Sequence, residues 1–283
     1  MLRPLREGQA VDRLVRDGVE LAYRLKRGGS GLPVILVHGW CCDHSYLSPQ
    51  FDYFAARGHT VLAPDLREHG ASDKPVQDYP ISAFTDDVAW MAEALGLDRS
   101  IVIGHSMGGI IAFDLAVRYP ECVAGTVQLD SSTAVTDAAR AIMTTFIETL
   151  KGPGYAGALA DYAARVLFVD SDDAARRADI LRRMTSAPQH MMISAFTGLR
   201  DFDPGEAGRR QTAPSLYIAA DEPSPRSDMT RLGALVPHLH YGRVVGSGHF
   251  CQLEVPDQVN AMISRFLDVA GLAARDASGP SDR

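Results

Sequence analysis

The spacing of apolar and polar residues changes several times along the chain, and each change marks an element. Residues from Gly18 to Leu25 (G-V-E-L-A-Y-R-L) alternate, which predicts an early strand, and Lys26 to Gly31 supplies its turn. Pro33 to Val37 is a continuous apolar run, a buried strand leading into His38-Gly39-Trp40. A loop holding Cys41, Cys42, Asp43 and His44 follows, then a helix to about Arg57. Thr60 to Ala63 predicts the next strand, and Glu68 to Tyr79, with its Gly, Ser, Asp and Pro, reads as loop. Helical periodicity runs from Ile81 to Leu95, with Gly96 as C-terminal cap. The β-branched run Ile101 to Ile103 meets Gly104-His105-Ser106-Met107-Gly108-Gly109, and helical spacing then continues to Pro120. Val123 to Leu129 is a strand delivering Asp130-Ser131-Ser132.

There the alternation stops. Residues from about Thr133 to Gly208 read as mostly helical, with Met143, Phe146, Leu150, Met184, Met191, Met192 and Phe196 as apolar landmarks. Alternation resumes with a strand at Pro214 to Ala220, a segment at Asp228 to Leu235 and a strand at Tyr241 to Val245; a last helix covers about Pro256 to Leu267. Strands alternating with helices predict an α/β fold: a mostly parallel twisted sheet flanked by helices. The helical interval reads as a cap inserted after the sixth strand, over the carboxyl ends of the strands, where such sheets place their sites. The expected division is a core over 1–132, a cap over 133–208, core again over 209–270, and a flexible tail over 271–283. A cap needs an apolar underside, so some of its methionines and aromatics are expected in a pocket, while others only pack.

Composition narrows the function classes. The 283 residues are 46% hydrophobic and 22% charged, ordinary for a soluble globular chain long enough for one large domain or a domain with an insertion. A net charge of −7, with a pI near 5.7 and no long basic run, argues against nucleic acid. No apolar run reaches transmembrane length, and the first residues lack a signal-peptide core, so a cytoplasmic protein without a membrane partner is expected. Cys41, Cys42, Cys122 and Cys251 show no metal or disulfide spacing and read as free thiols in a reducing compartment. The nine histidines contain no H-E-x-x-H, so neither metal nor cofactor is expected, and the partner is a small-molecule substrate. Oligomeric state is not legible.

Ser106 carries the chemistry. G-x-S-x-G between a strand and a helix describes a nucleophile elbow: glycines remove Cβ atoms where the two elements crowd, and the serine is exposed on strained backbone. The N–H groups that open the following helix point toward any anion forming there.

With His38-Gly39-Trp40 after a strand, D-L-R-E-H-G-A-S-D-K-P from Asp65 to Pro75, the elbow at Ser106 and G-S-G-H-F from Gly246 to Phe250, the chain resembles the α/β-hydrolase family over nearly all its length except the cap. Glu68 stands where many relatives have glycine in R-G-H-G. The resemblance implies Ser106 as nucleophile and His249 as base, in the order Ser, Asp, His. It offers two places for the acid. After the strand ending at Ala220 the position in step is Pro223, which cannot serve, with Asp221 and Glu222 nearby but out of step. The other place is Asp130, at the end of the neighbouring strand, which is the first choice here. The oxyanion hole is expected from the backbone N–H groups of Trp40 and Met107. His38, His105, Met143, Phe146, Met191, Phe196 and Phe250 are candidate pocket residues, His38 and His105 in shaping positions.

The resulting expectation is a serine hydrolase of small, fairly apolar esters or lactones, working through an acyl-enzyme. Three alternatives share the fold. The stretch Gly39 to His44 is similar to one in cofactor-independent dioxygenases of N-heteroaromatic compounds, but Cys42 and Met107 occupy positions where those enzymes carry histidine. A carbon–carbon bond hydrolase would use the same three residues, and a low-turnover ligand receptor could retain them. Haloalkane dehalogenase and epoxide hydrolase chemistry would need aspartate in place of Ser106.

Overall fold

The computed structural model describes residues 11–29 and 31–273. Eight strands form one sheet: β1 (Asp12–Arg16), β2 (Val19–Lys26), β3 (Val34–Val37), β4 (Val61–Pro64), β5 (Ser100–His105), β6 (Val123–Leu129), β7 (Ser215–Ala219) and β8 (Leu239–Arg243). Their order is β1-β2-β4-β3-β5-β6-β7-β8, with β1 and β2 antiparallel to their neighbours and every other pair parallel. This is the α/β sheet that the alternation of periods predicts. Strand β1 is the addition. It pairs with β2 through the Asp17-Gly18 turn, in which both residues are left-handed, φ 52° and 78°. An Asp-Gly pair of this kind is a hairpin signal, but β1 itself is mostly exposed and lacks an apolar face to announce it.

The central strands are buried on both faces, so they read as unbroken apolar runs rather than alternating ones. Along β3, Ile35 and Val37 enter one core while Val34 and Leu36 enter the other; along β5, Val102 and Ile101/Ile103 divide in the same way. The first core also takes up α2 (Ile81–Ala94) and α3 (Met107–Arg118). The second takes up α1 (Ser48–Ala55) and α10 (Pro256–Val269). Gly96 ends the α2 segment with φ 67°, as its C-terminal position predicts.

Between β6 and β7 lie four helices, α4 (Asp137–Leu150), α5 (Tyr155–Val166), α6 (Ala174–Thr185) and α7 (Gln189–Asp201). They are fastened to loops that follow the sheet strands. The Trp40 indole N–H donates to Met192 O at 3.1 Å, Tyr79 N–H donates to Ser194 Oγ at 2.9 Å, and Arg183 pairs with Asp43. His249 N–H donates to Leu167 O at 3.0 Å, and Gly248 N–H to Asp172 Oδ1 at 2.9 Å. The chain closes with α8 (Met229–Leu235), the single turn α9 (Cys251–Glu254) and α10.

Strand β8, which ends at Arg243 rather than Val245, and the C-terminal tail depart from the sequence reading. Strand β8 begins two residues earlier than Tyr241, because Leu239 and His240 pair with Ser215 and Leu216 of β7. The expected flexible tail from Gly271 starts too early: Leu272 is buried in the second core, against the backbone of Gly125. Residues 274–283, the rest of that expected tail, lie outside the described residues.

Candidate active site

Strand β5 ends at His105 and α3 begins at Met107, leaving Ser106 to make the whole turn. Its backbone sits at φ 55°, ψ −118°, a conformation that L-residues with side chains rarely adopt. Three glycines make room for it. A Cβ on Gly104 would meet the Gly108 carbonyl oxygen at 1.9 Å, and a Cβ on Gly108 would meet Val37 O at 2.1 Å. A Cβ on Gly39 would stand 3.1 Å from Ser106 Cβ, so the loop after β3 also runs directly against the serine. That approach brings Trp40 beside the elbow. Met107 is the first residue of α3, and its N–H has no acceptor within the helix.

Asp130 follows β6, the strand next to β5, and also has left-handed backbone, φ 45°. Its Oδ1 accepts from Ala220 N–H at 3.1 Å at the end of β7. Its Oδ2 accepts twice, from His249 Nδ1 at 2.6 Å and from Arg226 Nε at 2.6 Å. Asp221 instead binds Arg243 and the Gly246 N–H, and Glu222 binds Arg226. Of the three carboxylates considered in the sequence, Asp130 alone bonds His249 among the described residues.

Electrostatics follow from this burial. Burial would raise the Asp130 pKa, but the His249 hydrogen bond and the Arg226 charge outweigh it and hold the carboxyl well below its ordinary range. Burial, joined by Arg226, pushes the His249 imidazole down to about 4, against the pull of Asp130. His105 donates from Nε2 to the His249 carbonyl at 2.9 Å, and burial followed by the nearby His249 drives its own pKa well down. It is thus a neutral prop under the His249 loop. His38 is likewise neutral: its Nδ1 donates to Gly39 O at 2.8 Å and its Nε2 accepts from Leu66 N–H at 3.0 Å.

Ser106 and His249 line one cavity of about 60 Å³, together with Trp40, His105, Met143, Phe196 and Phe250. Among the described residues, Ser106 Oγ makes no hydrogen bond with the imidazole. The structure also corrects three pocket expectations. His38 is consumed by the two backbone bonds that shape the β3 and β4 loops and does not line the cavity. Phe146 stands one layer back, its ring 4.1 Å from Tyr162 and 5.3 Å from Phe196. Met191 faces a separate cleft beside Cys41 and Glu68, because α7 turns Phe196 toward the serine side instead.

Several lining residues escaped the sequence reading: Cys42, Ser132, Tyr162, Leu167, Met184, Leu199 and Arg226. Tyr162, Leu167 and Met184 carry only the helical apolar signal of residues that pack. Arg226 lies in a Ser-Pro-Arg-Ser loop with no motif, and nothing local marks it. A wider cleft of about 880 Å³ adjoins the cavity and shares Ser132, Met143, Tyr162 and Arg226 with it.

Asp43, His44 and Asp65 bring ligand-type atoms within 4.8 Å of one another. Their donors are engaged, however. Asp65 accepts from His44 N–H at 2.7 Å, His44 Nδ1 at 2.8 Å and Ala71 N–H at 2.8 Å, while Asp43 pairs with Arg183. The cluster ties two loops together. No helix among the described residues is long and apolar enough to cross a membrane.

Comparison with known proteins agrees with this fold. Over 260 residues the chain is 26% identical to the 2-(acetamidomethylene)succinate hydrolase of Mesorhizobium japonicum, a match covering 88% of this chain and 92% of that protein. The esterase of Thermogutta terrifontis superposes with a TM-score of 0.80 at 23% identity, covering 93% of this chain and 99% of that one. The enol-lactonase of Burkholderia xenovorans gives a TM-score of 0.81 at 20% identity, covering 91% and 100%. Relatives of higher local identity match less: 34% over 131 residues, which is 43% of this chain and 36% of their own length. The family described by the alpha/beta hydrolase fold matches residues 33–256, so this chain belongs to the α/β-hydrolase family.

Proposed function

We propose that the protein is a serine-nucleophile hydrolase of small, fairly apolar carboxylic esters or lactones, with Ser106, His249 and Asp130 as its catalytic groups. The observation that carries this reading is the 2.6 Å bond from His249 Nδ1 to Asp130, at a cavity whose wall holds a serine on left-handed backbone. A serine hydroxyl attacks a carbonyl only with a base to take its proton. The Asp130 bond holds the imidazole in the tautomer that leaves Nε2 free for that proton, and stabilises the imidazolium once formed. Ser106 Oγ bonds to the carbonyl carbon, and the N–H groups of Met107 and Trp40 receive the oxyanion. His249 then protonates the departing alkoxide. A water, deprotonated by His249 in turn, attacks the acyl-enzyme and frees Ser106. Base and nucleophile come within hydrogen-bond reach when substrate is bound, as catalytic groups often do.

In this reading residues 133–208 act as a cap, their Met143, Met184, Phe196 and Leu199 forming the apolar roof that selects the substrate. The names of the esterase, the enol-lactonase and the succinate-type hydrolase among the similar proteins support hydrolysis of a carboxylic acid derivative. Four free cysteines support a reducing, cytoplasmic setting.

A panel of aryl and alkyl esters and lactones tests the reading. Turnover by the natural chain is expected, falling by about three orders of magnitude or more in Ser106→Ala. A phosphonate probe should leave its adduct on Ser106 by mass spectrometry. Undiminished hydrolysis by Ser106→Ala would remove the serine from the mechanism.

A further inference from the structure

Arg226 brings a guanidinium to the cavity wall for which the hydrolytic mechanism has no step. Its guanidinium is largely buried, with 12% of the side chain exposed, and it is held on three sides. Nε donates to Asp130 Oδ2 at 2.6 Å, and Nη2 donates to Val166 O at 2.7 Å and to Glu222. The oxygen it uses on Asp130 is the one that His249 also uses. A buried cation at this place opposes the positive charge that His249 must gain, so it acts against the base while steadying the acid.

Its effect on Asp130 is geometric. Asp130 stands on strained backbone after β6, and its carboxylate is fixed by Ala220 N–H on one oxygen and by Arg226 and His249 on the other. Without Arg226, one backbone N–H would be left to orient the carboxylate that orients the imidazole. The loop carrying Arg226 is itself anchored, since Ser227 Oγ donates to Ser131 O at 2.7 Å, next to Asp130 in the chain.

We propose that Arg226 is a positioning residue of this site: it clamps the Asp130 carboxylate on which His249 is oriented, and its charge sets the lower pH limit at which the imidazole still accepts the serine proton. The inference rests on the role proposed above for Ser106 and His249. The other titratable or charged groups around His249 are Asp130 after β6, His105 on β5 with its ring 4.6 Å away, Tyr162 on α5, Asp172 before α6, Glu222 after β7 and Cys251 on α9. His105 is neutral and buried, and burial, with the Asp130 charge beside it, raises the Cys251 thiol's pKa and holds it protonated. Asp172 is taken up by Gly248 N–H and Val169 N–H. Arg226 is thus the cation positioned to act on His249.

The test compares the natural chain with Arg226→Met, Arg226→Gln and Arg226→Lys, using p-nitrophenyl acetate from pH 3.5 to 8 (about the titration range of an imidazole lowered by a neighbouring charge). The acid limb of kcat/KM is expected to move up by about one pH unit or more in the Met and Gln variants, and to stay in Lys. Plateau kcat should fall more in Met than in Gln, which keeps a donor for Asp130. A purely structural role would lower kcat without moving the limb. In parallel, imidazole NMR titration of His249 in the natural chain and in Arg226→Gln reads the same charge effect without turnover. A limb and a His249 titration unchanged in Arg226→Gln would overturn the proposal. Loss of ester turnover in every form, with the NMR shift intact, would instead overturn the hydrolytic reading alone.

Discussion

At the scale of residues, the site is a contest over one carboxylate oxygen. Asp130 Oδ2 accepts from His249 and from Arg226 at the same 2.6 Å, so the orientation of the imidazole and the neutralisation of the carboxylate are settled together. Asp130→Asn is therefore expected to lower kcat by roughly three to four orders of magnitude, by presenting the wrong tautomer partner to His249. Asp221→Asn, at an exposed pair with Arg243, should cost far less, and Glu222→Gln an intermediate amount through Arg226; steady-state kinetics on one ester ranks them. A reversed order would move the acid to the loop after β7.

Glu68 poses a different problem. It is buried at φ 66°, and neither carboxylate oxygen has a hydrogen-bond partner, with His190 Nε2 3.6 Å away. Left-handed backbone explains why glycine suits this position. Burial, partly offset by Arg67, pushes its pKa up to about 8. Because the folded pKa lies above the unfolded one, Glu68 binds its proton more tightly in the native state. Its contribution to stability is present at acid pH and is lost as pH rises from about 4.5 toward 8. Glu68→Gly is expected to raise the urea midpoint, and by more at pH 8 than at pH 5. Equal gains at both would show that backbone strain alone is relieved.

At the scale of elements, β5, the elbow and α3 work only because backbone passes where side chains would stand. A Cβ at Gly108 would strike Val37 O at 2.1 Å, an atom that cannot move without parting β3 from α3. Gly108→Ala is expected to lose at least about 2 kcal/mol in denaturant unfolding. Gly154→Ala, where nothing lies within 4 Å, is the control and should change little. The strand–turn–helix was legible because this crowding leaves a glycine pattern in the sequence. Strand β1 was not, since its exposed residues have no face to bury and only the Asp17-Gly18 turn signals it.

At the scale of the whole molecule, the four helices between β6 and β7 share one apolar core with the α2 and α3 side of the sheet, and a few polar ties fasten them to the sheet's loops as well. Arg183 is central among them, pairing with Asp43, donating to Ser45 Oγ at 3.0 Å and lying over the Tyr46 ring at 5.2 Å. Arg183→Ala should speed amide exchange across α6 and α7 while leaving β3, β5 and β6 protected, as followed by exchange mass spectrometry. Equal acceleration in the sheet would mean that the interval and the sheet open as one unit.

The sequence by itself determined the sheet apart from β1, the helical interval after β6 and the bend that exposes Ser106. These follow from local periods and from glycines whose need is local. Contacts between distant segments were decided only by tertiary structure. Whether Asp130, Asp221 or Glu222 faces His249 depends on how β6, β7 and the loop before α9 align. That α7 sends Phe196 into the cavity and Met191 out of it depends on the helix's rotation over the sheet. Arg226 shows the limit most plainly: its role comes from what lies beside it across the fold, and its neighbours in the chain carry no trace of that.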